Sequence, residues 1–178
     1  MEMNGMLERA KNKDLKITVL GMGYIGLPTA IALTRAGYTV HGFDVNKKTI
    51  EILRSGKIHI VEPDLQEAYE EALETGRLIA TDKLEKSDVF IIAVPTPFKL
   101  IDGKPKADLK YVESASKMVG EILDEENLVI LESTVPPMTT RLMTDILEKE
   151  SGIERNKFHS VHCPERVLPG RILYELEH

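Results

Sequence analysis

The chain has 178 residues, 42% of them hydrophobic, which is enough for one good core, so a single domain of ordinary size is expected. A formal net charge of −6 and a pI near 5.5 argue against a general polyanion binder, and with it against nucleic acid as a partner. No stretch approaches the roughly 18 apolar residues of a membrane span, residues 1–14 are too polar for a secretory signal, and the single cysteine excludes an internal disulfide, so the sequence reads as cytoplasmic with no membrane partner.

In chain order, the charged leader over residues 1–14 is expected to be flexible. An apolar β-type run at Lys16–Leu20 leads through a glycine turn into a helical pattern at Tyr24–Ala36, stopped by Gly37. A second strand is predicted at Thr39–Phe43. The connector "GKIHIVEPDL" then joins two helical pieces, with Asp64 able to cap the second, which runs to Thr75. Leu78–Ala80 reads as a third strand, short enough for a loop to be an equal alternative, and Val89–Val94 as a fourth. Asp108 can cap a helix that sets Val112, Ala115, Val119 and Ile122 on one face. Strands at Leu128–Leu131 and His159–His162 flank a helix over Pro137–Glu150, opened by proline and closed near Gly152. Residues 176–178, Leu-Glu-His, fit a tag remnant. Strands alternating with helices predict an α/β fold: a Rossmann-type doubly wound parallel sheet of about six strands, in one domain over residues 15–175.

Gly21, Gly23 and Gly26 follow the first strand and open a helix, with Tyr24 and Ile25 inside the same turn. That spacing lets the chain turn tightly, bring backbone near a pyrophosphate and pack helix on strand, while the free amides and dipole of the helix N-terminus bind the anion without a lysine. Pro28 falls within the first turn, where a missing amide costs little. Asp44 ends the second strand eighteen residues after Gly26, close to the spacing at which a carboxylate accepts both ribose hydroxyls and repels a 2′-phosphate, favouring NAD over NADP. Lys47 and Lys48 stand against this choice, unless they are only the solvated start of a helix.

Ligands of open α/β sheets sit beyond the carboxyl ends of the strands. Strand four runs into Pro95 and Thr96, strand five into Thr134, strand six into Glu165, so these residues are expected on one edge with the glycine turn. For both threonines the alternative is a hydroxyl that satisfies local backbone. Glu165 can orient water or take a proton, or else pair with Arg166 or Arg171. Cys163 is expected to be a small buried hydrophobe rather than a nucleophile, and His159 and His162 point to opposite faces of a strand, so no metal site is predicted.

The stretches "GMGYIGLPTA", "GKIHIVEPDL", "AVPTPFK", "YVESA", "LVILEST" and "CPERVLPG" together resemble the N-terminal part of the UDP-glucose/GDP-mannose dehydrogenase family over about residues 15 to 175. UDP-glucose dehydrogenases typically show Asn-Pro-Glu-Phe where this chain has "CPER", a departure that favours a UDP-linked N-acetylhexosamine. The resemblance implies a cytoplasmic oxidation of the sugar C6 alcohol to a carboxylate by two NAD in succession, within polysaccharide biosynthesis, by an intact enzyme that is a homodimer or larger. Carried over residue by residue, it assigns Gly21, Gly23, Tyr24, Ile25, Gly26, Asp44, Pro95, Thr96 and Thr134 to NAD. Glu165 and Thr134 go to catalysis, and Glu165, Arg166, Val167 and Leu168 to the sugar nucleotide. The family's nucleophilic cysteine, catalytic lysine and UDP-binding domain correspond to positions beyond residue 178, and Cys163 does not match the nucleophile, so this stretch alone is expected to be inactive. A stand-alone NAD-sensing module and a hydroxy-acid dehydrogenase share the glycine turn, but "CPERVLPG" is not expected in the latter.

Overall fold

The computed structural model describes residues 3–101 and 103–177. In chain order the elements are α1 (Met3–Lys11), β1 (Lys16–Leu20), α2 (Gly26–Arg35), β2 (Thr39–Phe43), α3 (Lys47–Arg54), α4 (Leu65–Glu74), β3 (Leu78–Thr81) and β4 (Val89–Ile92). They continue as β5 (Phe98–Ile101), β6 (Lys104–Ala107), α5 (Lys110–Gly120), β7 (Leu128–Leu131), α6 (Thr139–Ser151), β8 (His159–His162) and α7 (Ile172–Glu177). Six of the strands form one parallel sheet in the order β3-β2-β1-β4-β7-β8, with Ile17 beside Val40 on one side and Val89 on the other. The chain therefore winds one way from β1 to β3 and the other way from β4 to β8. The crevice between β1 and β4, where the direction reverses, is the switch point of the doubly wound fold.

Alternation along the central strands supplies two apolar layers. Ile17, Val19, Val89 and Ile91 pack under α2 and α4 with Leu27, Ile31 and Tyr69, whereas Leu20, Phe90, Ile92 and Leu131 pack under α5 and α6 with Val112, Met143 and Leu147. This is the near-continuous hydrophobicity that a parallel sheet covered on both faces demands. Thr18, buried in β1, is satisfied by Ser87 at 2.7 Å between hydroxyls.

Several boundaries differ from the sequence expectation for local reasons. β4 ends at Ile92, not Val94, and α6 begins at Thr139, not Pro137. Asp64 stands at the N-cap of α4 but in a left-handed conformation (φ 59°) that leaves its side chain off the helix amides. Leu109 occupies the N-cap of α5 by backbone geometry, but the Asp108 carboxylate, one residue earlier, still reaches the helix start: one oxygen accepts from the Lys110 amide at 3.4 Å, and the other pairs with Lys99 at 2.7 Å. The leader, expected to be flexible, is helical over Met3–Lys11. Arg9 donates to both carboxylate oxygens of Asp88 at 2.6 and 2.9 Å, and Met6 and Ala10 pack on the core. At the other end, Leu176 and Glu177 continue α7, and Glu177 accepts from Arg35 at 3.1 Å. Residues 1, 2 and 178 of those two expectations lie outside the described residues. The antiparallel β5–β6 hairpin was not anticipated, since "KPKA" carries a proline and two lysines; those residues suit an exposed two-stranded ribbon.

Candidate functional site

The carboxyl ends of five adjacent strands are laced together by backbone bonds: Gly21 N–H to Phe43 O at 2.8 Å, Ala93 to Leu20 at 2.9 Å, Glu132 to Ile92 at 2.9 Å and Cys163 to Leu131 at 3.0 Å. The loops leaving them are thereby fixed along one edge. At the switch point Gly21 has φ 96°, and a Cβ there would meet the Ala93 carbonyl oxygen at 2.6 Å, so only glycine fits. A Cβ on Gly26 would land on the Gly21 carbonyl oxygen, which is the close approach of helix to strand. Gly23 is different: a Cβ there would meet no protein atom within 4 Å. Its side-chain space opens on a cleft, and α2 begins beside it with no side-chain cap on its amides.

That cleft has a volume of about 430 Å³ and is lined by Gly21, Gly23, Tyr24, Ile25, Asp44, Ala93–Thr96, Glu132–Thr134, Glu165 and His59. A second hollow of about 350 Å³ adjoins it through Gly21, Asp44, Val94 and Pro95 and continues between Phe43, Asn46, Tyr111 and Met118. Asp44 thus stands where the two meet. Its carboxylate accepts from the amide of Met22 at 2.9 Å and from that of Asn46 at 2.8 Å, which fixes its orientation while leaving lone pairs free. Lys47 and Lys48 open α3 as exposed residues and line neither hollow.

Of the strand-end residues singled out in the sequence, Pro95, Thr96, Thr134 and Glu165 come together on the first cleft. Thr96 donates its hydroxyl to the Thr134 carbonyl at 2.7 Å, so here the local-backbone alternative describes the hydroxyl. Glu165 accepts from the Val167 amide at 2.8 Å, a turn that holds its carboxylate at the cleft; its partner is not a guanidinium, and Arg171 lies instead over the Tyr174 ring at 4.9 Å. Arg166 and Leu168 are exposed and, like Val167, line neither hollow. Cys163, expected to be buried, is exposed: it follows β8, the edge strand, whose outer residues have no neighbouring strand to cover them. His162 approaches the Ser133 carbonyl at 3.2 Å and His159 approaches Glu126 at 3.8 Å, so the two rings face different partners.

Two titratable residues of the cleft, His59 and Glu132, fall within "GKIHIVEPDL" and "LVILEST" but were not singled out as site residues. His59 enters from the α3–α4 connector, whose shape is held by Gln66, the acceptor of the Ile58 amide at 3.0 Å and a donor to Gly56 O at 2.8 Å. Glu132 lies at the end of β7, and Thr29 of α2 donates to its Oε1 at 2.9 Å. Burial pushes its carboxyl up to about 7; the Thr29 bond opposes the rise and the Glu165 charge adds to it.

The profile of the UDP-glucose/GDP-mannose dehydrogenase family, NAD binding domain, matches residues 15–178. The chain belongs to the UDP-glucose/GDP-mannose dehydrogenase family. Within that family it is 45% identical over 166 residues to the UDP-N-acetyl-D-mannosamine dehydrogenase of Pyrococcus horikoshii, covering 91% of this chain and 39% of the relative. It is 44% identical over 173 residues to the enzyme of the same name from Campylobacter jejuni, covering 93% and 42%. The solved structure of the Pyrococcus horikoshii UDP-D-ManNAc dehydrogenase superposes with a TM-score of 0.83 at 46% identity, over 90% of this chain and 38% of the other. The chain thus spans about two fifths of the length of the relatives it matches, and that portion is the NAD-binding domain of the UDP-glucose/GDP-mannose dehydrogenase family.

Proposed function

We propose that the two adjoining hollows hold one NAD molecule, and that the chain is the cofactor-binding part of a dehydrogenase oxidising C6 of UDP-N-acetyl-D-mannosamine to its uronate. One observation supports the cofactor reading above the others. Gly21 and Gly26 are demanded by the protein's own packing, but Gly23 is not, and the space its missing side chain leaves is a cradle open to the cleft at an uncapped helix N-terminus. Backbone amides there suit a pyrophosphate. Asp44, pinned by two amides where the hollows meet, suits the adenosine ribose hydroxyls, with Phe43, Tyr111 and Met118 forming an apolar slot beyond it for the base.

Bound there, NAD supplies a ring that accepts hydride. This chain's own groups hold and orient it. Pro95 and Thr134 wall the far half of the cleft, and Glu165, held by the Val167 amide, stands where it can orient water or take a proton from substrate. The substrate reading rests on the relatives at 44–45% identity. In an intact enzyme, Arg166, Val167 and Leu168 would meet the sugar nucleotide from the loop after β8.

Calorimetry tests the cofactor reading. NAD is expected to bind at least about tenfold more tightly than NADP, a difference of roughly 1.4 kcal/mol, because the Asp44 carboxylate repels a 2′-phosphate. Asp44→Asn removes the charge while keeping one acceptor, and is expected to weaken NAD and narrow that ratio. Equal affinities in the wild type would overturn the assignment of Asp44 to the ribose.

A further inference from the structure

Glu132 is the buried group that the assignments above leave without a task. It is 8% exposed and lines the cleft, yet its two oxygens differ: Oε1 accepts from Thr29, while Oε2 is buried with no hydrogen-bond partner among the described residues. An ionised carboxylate with an orphaned oxygen away from water is costly, whereas the neutral acid can carry its proton on that oxygen. Among the described residues, the cleft lining offers no lysine or arginine to compensate it. From the loop after β8 the cleft receives Glu165, from β2 Asp44, from the α3–α4 connector His59 and from α2 only the Thr29 hydroxyl; no lysine or arginine is among its lining residues. A cleft with this set of charges takes a cationic ligand group best.

The two redox forms of a nicotinamide dinucleotide differ in that respect. The oxidised ring carries a fixed positive charge and the reduced ring carries none, while both forms share the same pyrophosphate. With the pyrophosphate at the glycine turn and the ribose at Asp44, the remaining half of the molecule extends over the ends of β4 and β7, which is the side of Glu132. We infer that Glu132 couples the redox state of the bound dinucleotide to a proton: binding of the oxidised form drives the Glu132 proton into solvent, and binding of the reduced form leaves it in place. This rests on the dinucleotide assignment. It also gives the unpartnered oxygen a purpose, since a carboxyl already satisfied by two donors would be ionised before any ligand arrived.

The sign follows from linkage. A carboxyl raised to about 7 is protonated well below neutrality and ionised well above it, so a cation that favours the ionised form binds more tightly as pH rises through that range. NAD affinity is expected to increase at least about threefold between pH 6 and pH 8, and NADH affinity to stay flat or fall. Calorimetry of the 178-residue protein at pH 7, in two buffers of different ionisation enthalpy, should show about half a proton released with NAD and none with NADH. Carboxyl ¹³C NMR of the ligand-free protein should show one glutamate titrating near 7. Glu132→Gln keeps an acceptor for Thr29 and should abolish both the pH dependence and the proton release. Thr29→Val, which removes the bond that favours the charged form, should move the NMR midpoint upward. NAD binding with buffer-independent heats, or pH dependence that survives Glu132→Gln, would overturn the inference; absence of NAD binding at any pH would instead remove the dinucleotide assignment beneath it.

Discussion

Gly23 and Gly26 lie three residues apart in one turn and answer to different constraints. A methyl on Gly26 collides with the Gly21 carbonyl oxygen, a backbone atom that cannot step aside, whereas a methyl on Gly23 meets nothing within 4 Å. Gly26→Ala is therefore expected to destabilise the domain by more than about 3 kcal/mol, while Gly23→Ala changes stability by less than about 0.5 kcal/mol. Affinity should respond in the opposite way: Gly23→Ala should weaken NAD at least about tenfold, because the methyl occupies the approach of the pyrophosphate. Thermal melts paired with calorimetry separate the two effects, and a comparable loss of stability in both variants would refute the division of labour. The spacing of the glycines was legible in the sequence; that a Cβ would collide at Gly21 and Gly26 but meet nothing at Gly23 was not, because that depends on where the fold sets the Ala93 and Gly21 carbonyls. Glu132 was passed over for a related reason. Its burial and its bond to Thr29 join residues 103 positions apart, and nothing in "LVILEST" announces them.

At the scale of elements, the strands were legible where both faces are buried and the helices where their apolar period was clean; what escaped were pieces held by distant partners. α1 shows this. Nine residues containing a glycine are too short to be helical alone, and the helix persists because Arg9 grips Asp88, Tyr38 donates to Ala10 O at 3.0 Å, and Met6 and Ala10 pack against the core cluster that includes Leu15 and Val89. Burial alone would raise the Asp88 carboxyl, but the bonds from Arg9 and from the Lys16 amide outweigh it and hold it below the usual range. A depressed carboxyl contributes stability above its unfolded value and loses it as pH falls through the folded one. Arg9→Ala is expected to cost about 1 kcal/mol at pH 7, given that both side chains keep some exposure, and to speed amide exchange over residues 3–11. The gap between variant and wild type should close below about pH 4, as Asp88 takes up its proton. NAD affinity should not change, since α1 lies at the opposite edge of the sheet from the glycine turn. A variant whose exchange over α1 matches the wild type would show that the apolar contacts alone dock the helix.

For the whole molecule, the sheet order follows from rules that the sequence already obeyed: each parallel pair needs a crossover, crossovers are right-handed, and the direction reverses once, between β1 and β4. The two apolar layers share their strands, with Ile17 and Val19 on one face and Leu20, Phe90 and Ile92 on or toward the other, so neither layer can open without exposing the other's backing. The cleft belongs to the same unit. Apart from His59 on the α3–α4 connector, its residues sit on loops leaving β1, β2, β4, β7 and β8, and those strand ends are joined to one another by the backbone bonds at Gly21, Ala93, Glu132 and Cys163. Ligand free energy at the cleft is therefore expected to act on the unfolding of the whole domain and not on a local segment. The protein should melt in one cooperative transition, and NAD at a hundred times its dissociation constant should add about 2.7 kcal/mol, which for a domain of this size raises Tm by roughly 5–10 °C. NADP at the same concentration should raise it less, following its weaker affinity. Differential scanning calorimetry decides the matter: two resolved transitions with only one of them moved by NAD would separate the cleft from the sheet, and a Tm unmoved at saturating NAD would mean that the strand ends do not form the site.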